Sequence, residues 1–163
     1  MDVSARFERM VREHQHRIFV FALGMCGSRG DAEDATQETF LRAYRAMAGW
    51  DAVRLAELRE SAFLHRICLN VCRNRARRVR VFHELPDEVP GGTGVEGLAE
   101  REELMAALGS LPVPQRSAVV LRHVGGWSTA ETAALMAVPE NTVKSHLARG
   151  LAALRRRLDQ EVA

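Results

Sequence analysis

The sequence predicts an all-α fold made of two small helical domains joined by a flexible acidic linker. Three observations carry this expectation. Apolar residues recur at spacings of three and four almost throughout, with no strand-like alternation and no internal repeat. Residues 81–99 interrupt that pattern with two prolines, four glycines and no apolar stripe. The formal charge of +2 over 163 residues also conceals segments of opposite sign. Residues 1–80 carry 15 basic and 10 acidic side chains, residues 81–103 carry 1 and 7, and residues 104–163 carry 7 and 4. Two basic blocks around an acidic connector suggest two separate anion-binding surfaces. Of the 23 basic residues only Lys144 is lysine, and arginine suits bidentate contacts to phosphate and base edges.

The elements follow in order. Phe7, Met10, Val11, His14, Ile18, Phe21, Ala22 and Met25 form the buried stripe of a first helix, which ends at the break from Gly27 to Gly30. Asp31 is the expected cap of a second helix, with Asp34 as a shortened capping-box partner, running to about Met47. Residues 50–60 read as a short connection with one helical turn. A helix from about Ser61 to Arg80 buries Leu64, Ile67, Cys68, Val71 and Cys72, then turns basic. After the linker, helices resume near Glu100, stop near Pro112 and Pro114, and restart over 115–124. Ser128 followed three residues on by Glu131 is a capping box that opens a short helix to about Met136. A tight turn at Ala137, Val138 and Pro139 leads to a last helix over about 140–158, and two helices joined in this way form a helix-turn-helix. The expected boundaries are thus 1–80, 81–99 and 100–163.

Several function classes fall away. The longest apolar run, Ile18 to Cys26, is far too short to span a bilayer, and the first ten residues lack the basic-then-apolar order of a signal peptide, so membrane insertion is not expected and a cytoplasmic location is. Three cysteines do not suit a disulfide-stapled fold and read as reduced thiols. There is no glycine-rich phosphate loop after a strand, no nucleophile elbow and no HExxH, so neither an enzyme nor a cofactor is expected, and Gly91 to Gly94 lie in a linker with no preceding strand. His65, Cys68 and Cys72 fall on one helix at spacings of three and four, a geometry that could offer zinc ligands or a thiol sensor. Because both cysteines belong to the buried stripe, the plainer reading is that they are apolar fillers, and no metal site is assigned.

Two helix faces carry chemistry. On the last helix Val143, Leu147, Gly150, Leu151, Leu154 and Leu158 share the inward side, which leaves Asn141, Ser145 and Arg149 outward. These are residue types that bond base edges when the second helix of a helix-turn-helix enters the major groove. Thr142, Lys144 and His146 lie at the margins, where phosphate contact is expected. On the second helix Ala32, Ala35, Thr36, Thr39, Phe40, Ala43 and Met47 point inward, which gathers Asp34, Gln37, Glu38, Leu41 and Arg45 on the other side. A leucine among exposed polar residues suggests a protein contact.

The strings that hold these faces resemble a known family. AEDATQETFLRAYRAM at 32–47 is similar to region 2 of the extracytoplasmic-function sigma factors, group 4 of the sigma-70 family, which are bacterial RNA polymerase specificity subunits. FLHRICLNVCRNRARR at 63–78 resembles the promoter-facing helix of the same domain, and residues 111–158 resemble region 4. The region 4 pattern is shared with other helix-turn-helix regulators, whereas the DAEDATQETF string is narrow to sigma factors. The resemblance implies that Asp34, Gln37, Glu38 and Leu41 dock on the β′ clamp helices of core RNA polymerase. It implies that Trp50, His65, Arg66, Asn70, Arg73, Asn74 and Arg77 meet the minus-ten element. It implies that Arg116, Ser128, Asn141, Thr142, Lys144, Ser145, His146 and Arg149 meet the minus-thirty-five element, with the polymerase β flap and an anti-sigma factor as further partners. Phe63 stands where many members have tryptophan, Cys68 and Cys72 replace commoner alanines, and residues 51–60 match no recognisable pattern.

A magnitude separates this reading from its main rival, a free-standing helix-turn-helix regulator. Opening a dozen base-pair steps costs on the order of 15 kcal/mol. One or two captured bases return only about 1–3 kcal/mol each. A sigma factor of this size therefore has to work inside a larger machine, while a free-standing regulator would bind duplex tightly by itself.

Overall fold

A computed structural model describes residues 2–81 and 98–162. The chain folds as α1 (Val3–Cys26), α2 (Arg29–Met47), α3 (Ala52–Ala56), α4 (Glu60–Val81), α5 (Leu98–Ser110), α6 (Val113–Val119), α7 (Thr129–Met136) and α8 (Glu140–Val162), with no strand among the described residues. The acidic linker expected over 81–99 falls almost wholly outside the described residues; α4 reaches Val81 and α5 starts at Leu98.

Local chemistry sets the first helices. Asp2 caps α1 by accepting from the Ser4 N–H at 3.3 Å. Gly27 ends it in the left-handed conformation (φ 79°), where a Cβ would be strained, and its N–H returns to the Leu23 carbonyl. Only one residue, Ser28, separates Gly27 from α2. Its extended backbone restarts the helix at once, and its hydroxyl accepts from the Asp31 N–H at 3.3 Å. The cap is therefore Ser28 and not Asp31. Asp31 sits in the first turn, where a carboxylate complements the helix dipole, and Asp34 is free of any capping role. Asp51 caps α3 by accepting from the Arg54 N–H at 2.8 Å, giving the single turn expected between Trp50 and Glu60.

The inward stripes pack as the spacing predicts. Met10, Ile18 and Phe21 of α1, Ala35 and Met47 of α2, and Leu64 and Val71 of α4 are buried together. Thr39 is buried among them without penalty, because its hydroxyl donates to the Ala35 carbonyl at 2.7 Å.

In the C-terminal unit the prolines act differently from the expectation. The chain breaks only at residues 111–112, and α6 begins at Val113 with Pro114 in its first turn, where a missing N–H costs nothing. The helix then widens into a π-helical turn over Val120–Val124, closed by the Gly125 N–H on the Val120 carbonyl at 2.9 Å. A Cβ at residue 125 would lie 2.8 Å from the Trp127 ring and 2.9 Å from the Leu121 carbonyl, so only glycine lets the chain turn there. Val143, Gly150 and Leu154 of α8 are buried, and α8 packs on α6, with Gly150 against Val119 and Gln115. Leu151, expected inside, is 39% exposed, while Gly150 beside it faces α6 so closely that a Cβ would lie 2.9 Å from a Val119 methyl.

The two units touch directly. Gly24 of α1 lies so near Val120 that a Cβ there would meet a Val120 methyl at 3.0 Å. Arg116 of α6 donates through Nη1 to the Met25 carbonyl at 2.8 Å. Further along the seam, α7 rests against α4.

Candidate functional site

The outward side of α2 is built as the helical spacing predicts. Asp34, Gln37 and Leu41 are exposed and Glu38 is half-buried. Leu41 leaves 49% of its surface open. Glu38 accepts from Arg42 at 2.6 Å, and Asp34 pairs with Arg75 of α4 at 3.6 Å, a guanidinium that also holds Asp31 at 3.2 Å. One residue escapes the sequence reading. Tyr44 is 40% exposed beside Leu41, its ring 5.0 Å from that of Phe7. Between them runs a groove of about 420 Å³ lined by Phe7, Val11, Gln37, Phe40, Leu41 and Tyr44. The signal was present in the spacing, since Gln37, Leu41 and Tyr44 step along one face.

The basic part of α4 forms a second surface. Arg66, Asn70, Asn74 and Arg77 are exposed along one edge, and Arg73 is half-buried beside them. Burial, and then the like charge of Arg77, hold the Arg73 guanidinium below its ordinary pKa. Trp50 is half-buried against Phe63, ring centroids 5.1 Å apart, with the Arg54 guanidinium 4.2 Å over its face.

His65 is not on that edge in this arrangement. It is only 3% exposed, and its Nδ1–H donates to the Ser61 carbonyl at 2.7 Å. Its ring is held edge-on between Phe21 at 5.4 Å and Trp127 at 5.2 Å. Burial lowers its pKa, the Ser61 bond opposes this, and the charges of His14 and Arg17 lower it further. Arg66 reaches the same neighbour, its Nη2 lying 3.5 Å from the Ala134 carbonyl of α7. The C-terminal unit thus covers the start of the α4 edge and leaves its end open.

The helix-turn-helix has the local chemistry that the sequence encodes. The Ser128 hydroxyl accepts from the Glu131 N–H, and the Glu131 carboxylate accepts from the Ser128 N–H, each at 3.0 Å. That backbone bond holds the Glu131 carboxyl below the usual carboxylate range. The turn into α8 places Ala137 in the left-handed region (φ 57°). Asn141, Lys144, Ser145 and Arg149 are exposed on α8, and Thr142 and His146 are half-buried at its margin. The Ser145 hydroxyl donates to the Asn141 carbonyl at 3.0 Å, so those two positions share one exposed surface.

Arg116 is remote in role from that surface. Its guanidinium donates to the carbonyls of Leu108, Gly109 and Leu111 at 2.9 to 3.0 Å as well as to Met25, so it ties the corner between α5 and α6 to α1. Burial lowers its pKa. The sequence placed it among DNA contacts because nothing local marks an arginine whose guanidinium is taken up by backbone carbonyls.

The zinc geometry that His65, Cys68 and Cys72 offered on paper is not assembled, because His65 turns to Phe21 and Trp127 while the two thiols face each other at 4.0 Å. Among the described residues the close ligand triad is Glu13, His14 and Glu60. There Glu60 is already paired with Arg6 at 3.4 Å and Arg9 at 3.5 Å, and its other oxygen lies 3.2 Å from His14 Nε2.

Known proteins share this organisation. Residues 10–81 match the sigma-70 region 2 family, and residues 101–154 match the sigma-70 region 4 family. The ECF RNA polymerase sigma factor SigM of Mycobacterium tuberculosis is 35% identical over 156 residues, covering 93% of this chain and 76% of that protein. The RNA polymerase sigma-E factor of Streptomyces coelicolor is 37% identical over 156 residues, covering 93% and 85%. Among solved structures, CnrH in complex with the cytosolic domain of CnrY aligns with a TM-score of 0.73 at 24% identity, covering 96% of this chain and 90% of that one. The sigma factor RpoE in complex with the anti-sigma factor NepR from Bartonella quintana aligns at 0.71 and 23%, covering 94% and 97%. At these identities the structural likeness concerns the fold.

Proposed function

Because this chain belongs to the extracytoplasmic-function sigma factors, the RNA polymerase subunits that direct promoter-specific initiation, we propose how its surfaces divide that work. Residues 1–80 act as the region 2 unit, 81–99 as the tether and 100–163 as the region 4 unit. The α2 face of Asp34, Gln37, Glu38 and Leu41, extended by Tyr44, docks on the β′ clamp helices of core polymerase. The observation that carries this assignment is an apolar groove left open on a helix whose remaining outward residues are polar.

Arg66, Asn70, Arg73, Asn74 and Arg77, with Trp50, serve the minus-ten element. Asn141, Ser145 and Arg149 serve base readout at the minus-thirty-five element, with Thr142, Lys144, His146 and the Ser128 cap at the phosphates and the rest of the region 4 unit on the β flap. His65 and Arg116 act as structural braces while the units are packed together. Full engagement of the α4 edge requires α7 to move away from Arg66 and Trp127 from His65. An anti-sigma factor that favours the packed arrangement would hold the protein inactive. The work is binding, without catalysis or a cofactor, and belongs in the cytoplasm with the polymerase; no helix among the described residues is long and apolar enough to cross a membrane.

Run-off transcription with bacterial core polymerase on a promoter library tests the reading. The expected result is a discrete set of transcripts sharing two spaced elements, absent with core polymerase alone. Tight sequence-specific duplex binding by the free chain, with no transcript in the reconstituted system, would overturn it.

A further inference from the structure

We propose that Cys26 and Cys72 form an oxidisable dithiol that reacts with a hydroperoxide and closes to a disulfide within the N-terminal unit. Cys26 is the last residue of α1, and Cys72 lies in the middle of α4, 46 positions away in sequence. The packing of α1 on α4 brings their sulfurs to 3.8 Å without a covalent bond. A disulfide needs a separation of about 2 Å, a change within reach of side-chain rotation when the helices are already adjacent.

The two thiols differ in the way that such a pair requires. Cys26 is half-buried and opens on a cleft of about 690 Å³ whose walls include Cys72, Arg75, Arg78 and Arg116. The hydrogen bond with Cys72 lowers its pKa against its own burial, and the charges of Arg75 and Arg116 lower it further while that of Asp31 in the same cleft opposes them. Thiolate character and access are what make a cysteine react with peroxide. Cys72 is buried, and its hydrogen bonds with Cys26 and Cys68, then burial, raise its pKa, so it stays a thiol until a partner forms beside it. Cys68 is fully buried with its sulfur 4.0 Å from that of Cys72, and it does not line the cleft on which Cys26 opens. None of the three belongs to the surfaces assigned to polymerase or DNA.

The steps balance. The Cys26 thiolate attacks one oxygen of the hydroperoxide, the O–O bond breaks, and the distal oxygen leaves as hydroxide or alkoxide, which takes up a proton. Cys26 is then a sulfenic acid, oxidised by two electrons while the peroxide is reduced. The Cys72 sulfur attacks the Cys26 sulfur, the S–O bond breaks, and the hydroxyl leaves as water with the Cys72 proton. The sum for hydrogen peroxide is two thiols and one peroxide giving one disulfide and two waters.

The test uses the full chain, reduced and freed of reductant, treated with hydrogen peroxide, quenched by N-ethylmaleimide under denaturing conditions and weighed intact. The expected product has lost two hydrogens and carries one maleimide in place of three. Trypsin should then release the peptide Ile18–Arg29 linked to Ile67–Arg73. Cys68→Ala should keep the link, and Cys72→Ala should lose it and leave Cys26 trapped by dimedone as the sulfenic acid. Cys26→Ser, at a half-exposed position that tolerates the change, should abolish both products. Three maleimides after peroxide, a Cys68–Cys72 link in the wild-type chain, or an undiminished link in Cys72→Ala each overturns the proposal.

Discussion

Trp127 of the C-terminal unit sets its ring edge-on to the imidazole of His65, centroids 5.2 Å apart and planes 73° apart, and so joins two elements that the linker separates in sequence. Phe21 holds the other side of the same imidazole, and His14 and Arg17 bring positive charge to its surroundings. A proton on His65 would have to be accommodated at a buried position between two aromatic rings and near the charges of His14 and Arg17, with Glu131 on the adjoining cleft.

His65 should make the stability of the fold depend on pH. Burial depresses the folded-state pKa of His65 below its unfolded value near 6.5, so the unfolded chain binds the proton more tightly. The stabilising contribution is complete above the unfolded pKa and is lost as pH falls below it towards the folded value. Urea unfolding of the wild type should show lower stability at pH 5 than at pH 7.5, and His65→Gln should show a smaller difference between the two. An equal pH dependence in both proteins would place the titration elsewhere.

The α2 face should govern polymerase affinity. Leu41→Ala removes the open apolar anchor and should weaken core-polymerase binding by about 1–2 kcal/mol, roughly tenfold, as loss of an interface anchor does. Charge reversal at Asp34 and Glu38 should weaken pull-down further. Because Asp34 also pairs with Arg75, that variant should lose a little thermal stability as well, on the order of 0.5 kcal/mol for an exposed pair. Unchanged pull-down by both variants would remove polymerase docking from this face.

The turn of the helix-turn-helix carries strain that a single substitution relieves. Ala137 sits at φ 57° and ψ 45°, a conformation that costs an L-residue with a Cβ about 1–2 kcal/mol. Ala137→Gly gives back part of that gain as unfolded-state entropy, about 0.5–1 kcal/mol. The variant should therefore unfold at a denaturant concentration corresponding to roughly 0.5–1 kcal/mol of added stability, with no change in the α8 surface. A destabilised variant would show that Ala137 makes a contact worth more than its backbone costs.

Arg149 and Lys144 should fail in different ways. Both are exposed on α8, but Arg149 lies on the outward stripe with Asn141 and Ser145 and Lys144 at its margin. Arg149→Ala should cost roughly 1–3 kcal/mol at the proper promoter and relax preference at one or two base pairs. Lys144→Ala should weaken all sequences about equally and reduce the salt slope by about one ion. Binding of the polymerase holoenzyme to matched and mutated duplexes across a salt series separates them. If Arg149→Ala lowers every sequence alike, the recognition helix is rotated by about one residue from this assignment, and Ser145 or His146 becomes the base reader.

Much of this protein was legible because helices are local objects. The Ser128 and Glu131 capping box, the break at Gly27 and the apolar stripes of α1, α2 and, apart from Leu151, α8 are set by neighbours three or four positions away, and the structure keeps them. The outward position of Asp34, Gln37, Leu41, Asn141, Ser145 and Arg149 follows from the same period. At the start of α2 the cap is Ser28 where Asp31 was expected, because α1 ends at Gly27 and the chain re-enters a helix one residue later.

The sequence by itself determined which residues share a helix face and how each helix begins and ends. Only the tertiary structure decided what covers each face. Whether His65 meets DNA or Trp127, whether Arg116 faces outward or braces Met25, and that Cys26 rather than His65 joins Cys72 all depend on contacts between elements tens of residues apart. A helical period carries no information about such contacts: they are set by the shapes of whole packed surfaces, here the close fit of Val120 over Gly24 that seats the second unit on the first.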